Sequence, residues 1–275
     1  CMSLPIVLPM DKLDSFYEKM DSEAMAFANS ADAATNGPLL VFLKNLNINT
    51  TLMDKPKGYS ETQMKKLAKK YHSEATHMNK TRTTKKFKGQ TVIYLLSESL
   101  TDPSRVPGLS TNKVVTPNLK EQKSKSAASG SMISSGLGGG TADVEYMTLT
   151  GMPVAGYDKT ITTPYTQLLS KAKATPSILD YFDQTATIHP FNGTFYNRRS
   201  AYKQLGMKKF YTTDDQTDGT LKYTDTLAGG YYVSDESAFK NLETYIDKVT
   251  NKKSQFIQLI TMQNHLPYGD GEYTG

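Results

Sequence analysis

The spacing of apolar positions changes along the chain, and the change divides it. Between residues 11 and 34, Leu13, Phe16, Tyr17 and Met20 recur at the three- and four-residue spacing of a helix face. Asn36-Gly37-Pro38 interrupts the pattern, and Leu39 to Leu46 forms a short apolar segment before the Pro56-Lys57-Gly58 loop. Ser60-Glu61-Thr62-Gln63 has the form of a capping box and predicts the start of a lysine-rich helix. Residues 73–88 are polar and basic with few apolar anchors. Residues 1–88 therefore read as a helical arm or linker, and residues 89–275 as the main domain.

The main domain opens with Thr91-Val92-Ile93-Tyr94-Leu95-Leu96, a β-prone run of the kind expected for a strand buried on both faces. Thr116-Pro117, Thr163-Pro164 and Thr175-Pro176 each predict an N-cap hydroxyl ahead of a proline at the first helical position. The latter two helices would carry Leu168, Leu169 and Ala172, then Ile178, Leu179 and Phe182. A strand is expected near Ala186 to His189. A helix over residues 234–249 shows Phe239, Leu242, Ile246 and Val249 on one face, and Phe256 to Ile260 predicts a second buried strand. Strands alternating with helices predict an α/β fold around a largely parallel sheet. There is no internal repeat.

Composition narrows the class. With 37% hydrophobic and 21% charged residues, the 275-residue chain has the balance of a globular protein of one large or two small domains. No apolar run approaches the roughly 20 residues of a membrane helix; the best candidate, Met2 to Met10, is broken by Pro5 and Pro9. The single cysteine, Cys1, excludes an intrachain disulfide, which fits the cytoplasm or a Gram-positive cell surface. Its place at position 1 fits either a lipidated first residue or a cut in a longer chain. The net charge of +5 is modest, but Lys65, Lys66, Lys69, Lys70, Lys80, Arg82, Lys85, Lys86 and Lys88 are clustered. Such a cluster suits anionic lipid head groups, nucleic acid or plain solvent. No aromatic stacking pattern accompanies the lysines, so nucleic acid ranks last.

Ligands of open α/β sheets gather at the carboxyl ends of the strands. Glu98, in Ser97-Glu98-Ser99 just past the first strand, offers a carboxylate to a hard divalent cation, or equally to an arginine or a helix cap. Gly138-Gly139-Gly140-Thr141-Ala142-Asp143-Val144-Glu145-Tyr146 places a glycine run before a helix start, a geometry that aims N–H groups at an anion. Thr141 there is either a plain cap or a nucleophile that needs activation, since a threonine hydroxyl is weakly nucleophilic at neutral pH. His189-Pro190-Phe191-Asn192-Gly193-Thr194-Phe195-Tyr196-Asn197-Arg198 brings a histidine, aromatics and an arginine to a strand end. Thr261-Met262-Gln263-Asn264-His265-Leu266-Pro267-Tyr268 follows another strand. His72 and His77 lie in the polar arm without an assigned role.

In this order the four segments, with Thr116-Pro117-Asn118-Leu119, resemble the lipoteichoic acid synthase family of phosphoglycerol transferases, within the alkaline phosphatase and sulfatase superfamily. The stretch from Asn36 to Ser60 resembles the linker that follows that family's membrane helices. The resemblance implies a sulfatase-like fold, here C-terminally incomplete. It implies Thr141 as nucleophile and metal ligand, Glu98 as a second ligand, and His189, Tyr196, Arg198 and His265 as the glycerol phosphate pocket. Tyr196 stands where a tryptophan is frequent. It further implies Mn2+, with Mg2+ as the alternative, and transfer from phosphatidylglycerol to a glycolipid or polyglycerolphosphate acceptor. The implied setting is the extracellular face of the cell membrane, against an anionic surface. The chain departs from the family in one respect: it contains no Asp-His dipeptide, the family's further metal ligands. Two other readings remain open at this point. One is another phosphotransferase, phosphodiesterase or sulfatase of the superfamily. The other is a surface domain that binds glycerol phosphate without turnover.

Overall fold

The structure, a computed structural model, describes residues 29–46, 52–82, 87, 89–134, 140–158, 161, 163–172, 174–247 and 253–266. Leu13, Phe16, Tyr17 and Met20 lie outside them, as do Lys85, Lys86, Lys88, Gly138, Gly139, Val249, Pro267 and Tyr268. Two short helices, α1 (Asn29–Asn36) and α2 (Pro38–Leu46), meet at Gly37, whose φ of 89° suits the break. The arm's long helix, α3 (Glu61–Thr81), begins where the capping residues predict. Ser60 is its N-cap and accepts from the Gln63 amide at 3.2 Å. It runs well into the polar stretch after residue 73.

Four parallel strands form the sheet: β1 (Thr91–Leu96), β2 (Gln184–Ile188), β3 (Lys209–Tyr211) and β4 (Gln255–Ile260), in the spatial order β1-β4-β2-β3. Between β1 and β2 run α4 (Pro117–Lys125), α5 (Thr141–Thr150) and the single turn α6 (Pro164–Gln167). Helix α7 (Arg198–Leu205) joins β2 to β3, and α8 (Asp235–Asp247) joins β3 to β4. The chain steps outward from β2 to β3 and then back past β2 to β4. Right-handed crossovers in opposite directions put their helices on opposite faces, and the core divides accordingly. Tyr146, Leu149, Tyr165, Tyr202 and Leu205 pack with Phe256 and Ile260 on one face. Ala238 and Leu242 pack with Ile188, Ile257 and Leu259 on the other. Each fully buried Leu, Ile or Phe contributes roughly 1.5–3 kcal/mol.

Four expectations change. β1 is the edge strand among the described residues, not a strand buried on both faces. Its burial alternates, and Ile93 and Leu95 are 44% and 49% exposed. β4, paired on both sides, is buried throughout. Helices α4 and α6 do begin at Pro117 and Pro164, but neither Thr116 nor Thr163 makes a side-chain cap bond, so the proline's fixed φ sets these starts. Thr175-Pro176 starts no helix. Ser177 caps the short 3-10 segment Ile178–Tyr181 instead, in a reciprocal box with Asp180. On α8 the buried side is Ser237, Ala238, Asn241 and Leu242, while Phe239 turns outward.

Asp183 ties the sheet's amino-terminal edge together. Its Oδ2 accepts from the Ser254 amide and hydroxyl, both at 2.9 Å, just before β4. These bonds, the backbone one first, hold the carboxyl below the usual aspartate range. A depressed folded-state pKa stabilises above the unfolded value, and that stability is lost as pH falls through the folded one. Asp183→Ala should therefore lower the melting temperature at neutral pH. The two melting curves should converge as the pH drops below the ordinary aspartate pKa of about 3.9.

Candidate active site

The parallel strands bring the chemically active side chains to their carboxyl ends. Glu98 lies two residues past β1, half-buried. It accepts from the Ser99 hydroxyl at 3.2 Å, and Ser99 holds a left-handed φ of 53°. Across from it, Thr141 is the first residue of α5 and follows Gly140 directly. Its Oγ1 stands 3.4 Å from Glu98 Oε1, bringing together groups 43 residues apart. That separation is longer than the ~2.5–2.7 Å of a hydroxyl–carboxylate hydrogen bond. It suits two oxygens sharing one hard cation, which takes oxygen ligands at about 2.0–2.6 Å. Both line a cavity of about 230 Å³ with Ser97, Ser99 and Ser134. Among the described residues no group of three or more His, Cys, Asp or Glu could hold a metal. Glu98 and Thr141 thus fit a hard cation in donor type while supplying only part of its coordination. In the first turn of α5, burial pushes the Asp143 carboxyl up to about 6.

The second half of the site is built on the loop after β2. Tyr196 and Asn197 both have φ of 56°, a conformation that costs non-glycine residues about 1–3 kcal/mol each. Asn197 in this state starts α7, which turns Arg198 inward. Arg198 is 1% exposed. Its Nε and Nη2 donate to Glu145 on α5 at 3.2 and 2.6 Å, and Nη1 approaches His189 Nε2 at 3.4 Å. Glu145 also accepts from the Tyr202 hydroxyl at 2.6 Å and the Tyr165 hydroxyl at 3.4 Å. Burial alone would lower the guanidinium's pKa; the Glu145 carboxylate more than offsets this and keeps it charged.

His189 is fully buried, and burial, then the Arg198 charge, drive its pKa well below the usual histidine value. It is neutral. If Nε2 accepts from Arg198, Nδ1 carries the proton and points it at the Ile260 carbonyl, 3.4 Å away. The Tyr196 ring lies under the Arg198 guanidinium at 5.0 Å. Burial raises its phenol pKa, and the charges acting on it include Arg198, Glu98, Glu145 and Asp143. Tyr196 is therefore where the Thr141 half and the Arg198 half meet. His265 stands beyond, half-buried, edge-on to Phe195 and Tyr232 with ring centroids at 5.8 and 5.6 Å.

Glu98 and Thr141 thus form one pair. His189, Tyr196 and Arg198 form one cluster, and His265 joins it through Phe195. The arginine's fork, however, is held by Glu145 and not presented to the cavity. Sequence reasoning assigned no role to Glu145, Tyr165 or Tyr202. Its signal was a carboxylate at the i+4 position from Thr141, inside a helix whose neighbours are apolar. Such a glutamate needs a cation, though nothing in the sequence chose Arg198 over Arg199.

Comparison with known proteins identifies the fold. A solved Streptococcus pyogenes structure, the phosphoglycerol transferase GacH in complex with sn-glycerol-1-phosphate, is 34% identical, with a TM-score of 0.69 over 79% of this chain and 56% of that one. The lipoteichoic acid synthase LtaP from Listeria monocytogenes has the same fold at 22% identity, with a TM-score of 0.53 over 68% of this chain and 44% of that one. A Rhizobium meliloti (strain 1021) protein named for cyclic beta-1,2-glucan modification is 29% identical over 246 residues, 86% of this chain and 34% of its own length. The chain spans about half of the streptococcal protein's structure and a third of the rhizobial relative. The fold is the one GacH has, and GacH adds a transferase of phosphoglycerol to the proteins this chain resembles. The sulfatase family profile matches residues 90–275, and the chain belongs to the sulfatase family.

Proposed function

We propose that the protein transfers phosphoglycerol from phosphatidylglycerol through a covalent intermediate on Thr141. The observation that carries the reading is the approach of Thr141 Oγ1 to Glu98 Oε1 at the mouth of a strand-end cavity. The likeness to GacH supports the glycerol phosphate group. Thr141 Oγ1 attacks phosphorus, the bond to the diacylglycerol oxygen breaks, and that oxygen leaves with a proton. An acceptor hydroxyl then attacks the same phosphorus, gives up its proton and releases Thr141. Glu98 and Thr141 would hold Mn2+, or Mg2+, which when bound supplies Lewis-acid chemistry that lowers a hydroxyl pKa and draws charge from phosphate oxygens. Tyr196 and Phe195 wall the glycerol side, and His265 bounds it. Arg198, its fork held by Glu145, lies over the Tyr196 ring and serves to fix that ring in place.

Two acceptors are in view. A polyglycerolphosphate or glycolipid acceptor would make this a lipoteichoic acid enzyme at the outer face of the membrane. A glycan acceptor is favoured by the name of the rhizobial relative, matched over most of this chain. Incubation with manganese and matched phosphatidylglycerol, phosphatidylethanolamine and aryl sulfate substrates tests the donor. Diacylglycerol should appear from phosphatidylglycerol alone; preference for the sulfate ester or for ethanolamine would overturn the reading. Adding a β-glucan or a glycerophosphate oligomer then shows which one gains mass.

A further inference from the structure

Helix α3 stands outside the site and has no buried residue over 21 positions. A helix polar all round would explain that, but α3 is two-faced. Met64, Leu67, Ala68, Tyr71, Ala75 and Met78 fall on one arc of about 100°. Met64 and Leu67 are half-covered, while Tyr71 and Met78 are 59% and 51% exposed. Lys65, Lys66, Lys69, Lys70 and Lys80 occupy the rest of the surface against only Glu61 and Glu74. Lys65 and Lys70 pair with those two acids at 2.6 and 3.8 Å. The helix is about 31 Å long, but no helix among the described residues is apolar enough to cross a membrane.

We infer that α3 lies flat on an anionic lipid surface, its apolar arc in the acyl boundary, the flanking Lys65 and Lys70 among the head groups and the other lysines above them. A narrow apolar arc on a lysine-rich helix is the pattern of an interfacial helix, and the charge selects an anionic bilayer. A second copy fits less well, because Glu74 occupies the seam position between Tyr71 and Met78 where a coiled coil needs an apolar residue. The inference rests on the phosphatidylglycerol reading for its meaning, since it would hold the site at its donor, but not for its test.

The test uses phosphatidylcholine vesicles with and without phosphatidylserine, an anionic lipid that is not the proposed donor. Partition should be about tenfold or more stronger onto the anionic vesicles and should fall with added salt. The sequence has no tryptophan, so Tyr71→Trp is a sole reporter and its emission should shift to the blue on binding. Neutralising the two lysines that flank the arc, with Lys65→Gln and Lys70→Gln, should weaken partition by at least about tenfold, with the circular dichroism spectrum unchanged. Thr141→Ala should partition as the parent does, which separates this surface from the site. Equal partition onto neutral vesicles would overturn the inference. So would binding that leaves the tryptophan emission unmoved, or sedimentation of an α3-dependent dimer that ignores vesicles.

Discussion

Thr141→Ala should abolish phosphoglycerol turnover, by about 10³- to 10⁶-fold, the range seen when a catalytic nucleophile is removed. Alanine removes both the proposed attacking oxygen and one of the two proposed cation ligands. It leaves α5 intact, because its first turn follows Gly140 without a side-chain cap, so the melting temperature should stay within about a degree. Thr141→Ser separates the causes. A serine hydroxyl restores the nucleophile, and turnover should return to within a hundredfold of the parent. The measurement is diacylglycerol release with manganese, beside mass spectrometry of the protein stopped in mid-reaction. The parent and the serine variant should carry an added phosphoglycerol mass on the peptide holding residue 141, and the alanine variant should not. Equal turnover by the alanine variant would falsify the assignment.

The second large effect is on stability. Glu145→Ala leaves the Arg198 guanidinium buried without its counter-charge and leaves the Tyr202 hydroxyl without its acceptor. Breaking a buried pair in this way typically costs about 3–5 kcal/mol. For a domain of this size that is on the order of 10 °C in melting temperature. Glu145→Gln keeps the shape and one acceptor oxygen but not the charge, so it should fall between the two. Combining Glu145→Ala with Arg198→Met should recover part of the loss, since no charge then stays buried unpaired. If the double variant is no more stable than Glu145→Ala, the pair does not account for the loss. Calorimetric or denaturant unfolding checks the series.

Much of this organisation is legible in the residues, for reasons that can be stated. β4 reads correctly because a strand paired on both sides is rich in apolar residues, here Phe256, Ile257, Leu259 and Ile260, and α4 and α6 because proline cannot sit later in a helix. The parallel sheet follows from alternation, and once strands run parallel, residues just past them must converge. That is why Glu98 and Thr141, 43 positions apart, meet. What the sequence hides is lateral position and orientation. Thr91–Leu96 is as apolar as β4, yet among the described residues only one strand pairs with it, so Ile93 and Leu95 stand exposed. Arg198 resembles an anion-binding arginine in its motif, but the left-handed turn at Tyr196–Asn197 aims it at Glu145. That turn falls at two non-glycine residues, and no local propensity announces it. Ser177 caps in place of Thr175 because a 3-10 segment can begin after the proline as readily as at it.

The Glu145–Arg198 pair carries a last consequence for heredity within such proteins. It spans 53 residues and fastens the helix that bears Thr141 to the loop that bears Tyr196. A crossover between homologous coding sequences that falls inside this interval would pair one parent's carboxylate with the other's guanidinium. Unless both parents keep the same two residues, the hybrid would inherit an unmatched charge in its core. Thr141 and the Tyr196 loop therefore travel as one block, and new specificities are most easily acquired from segments grafted outside it.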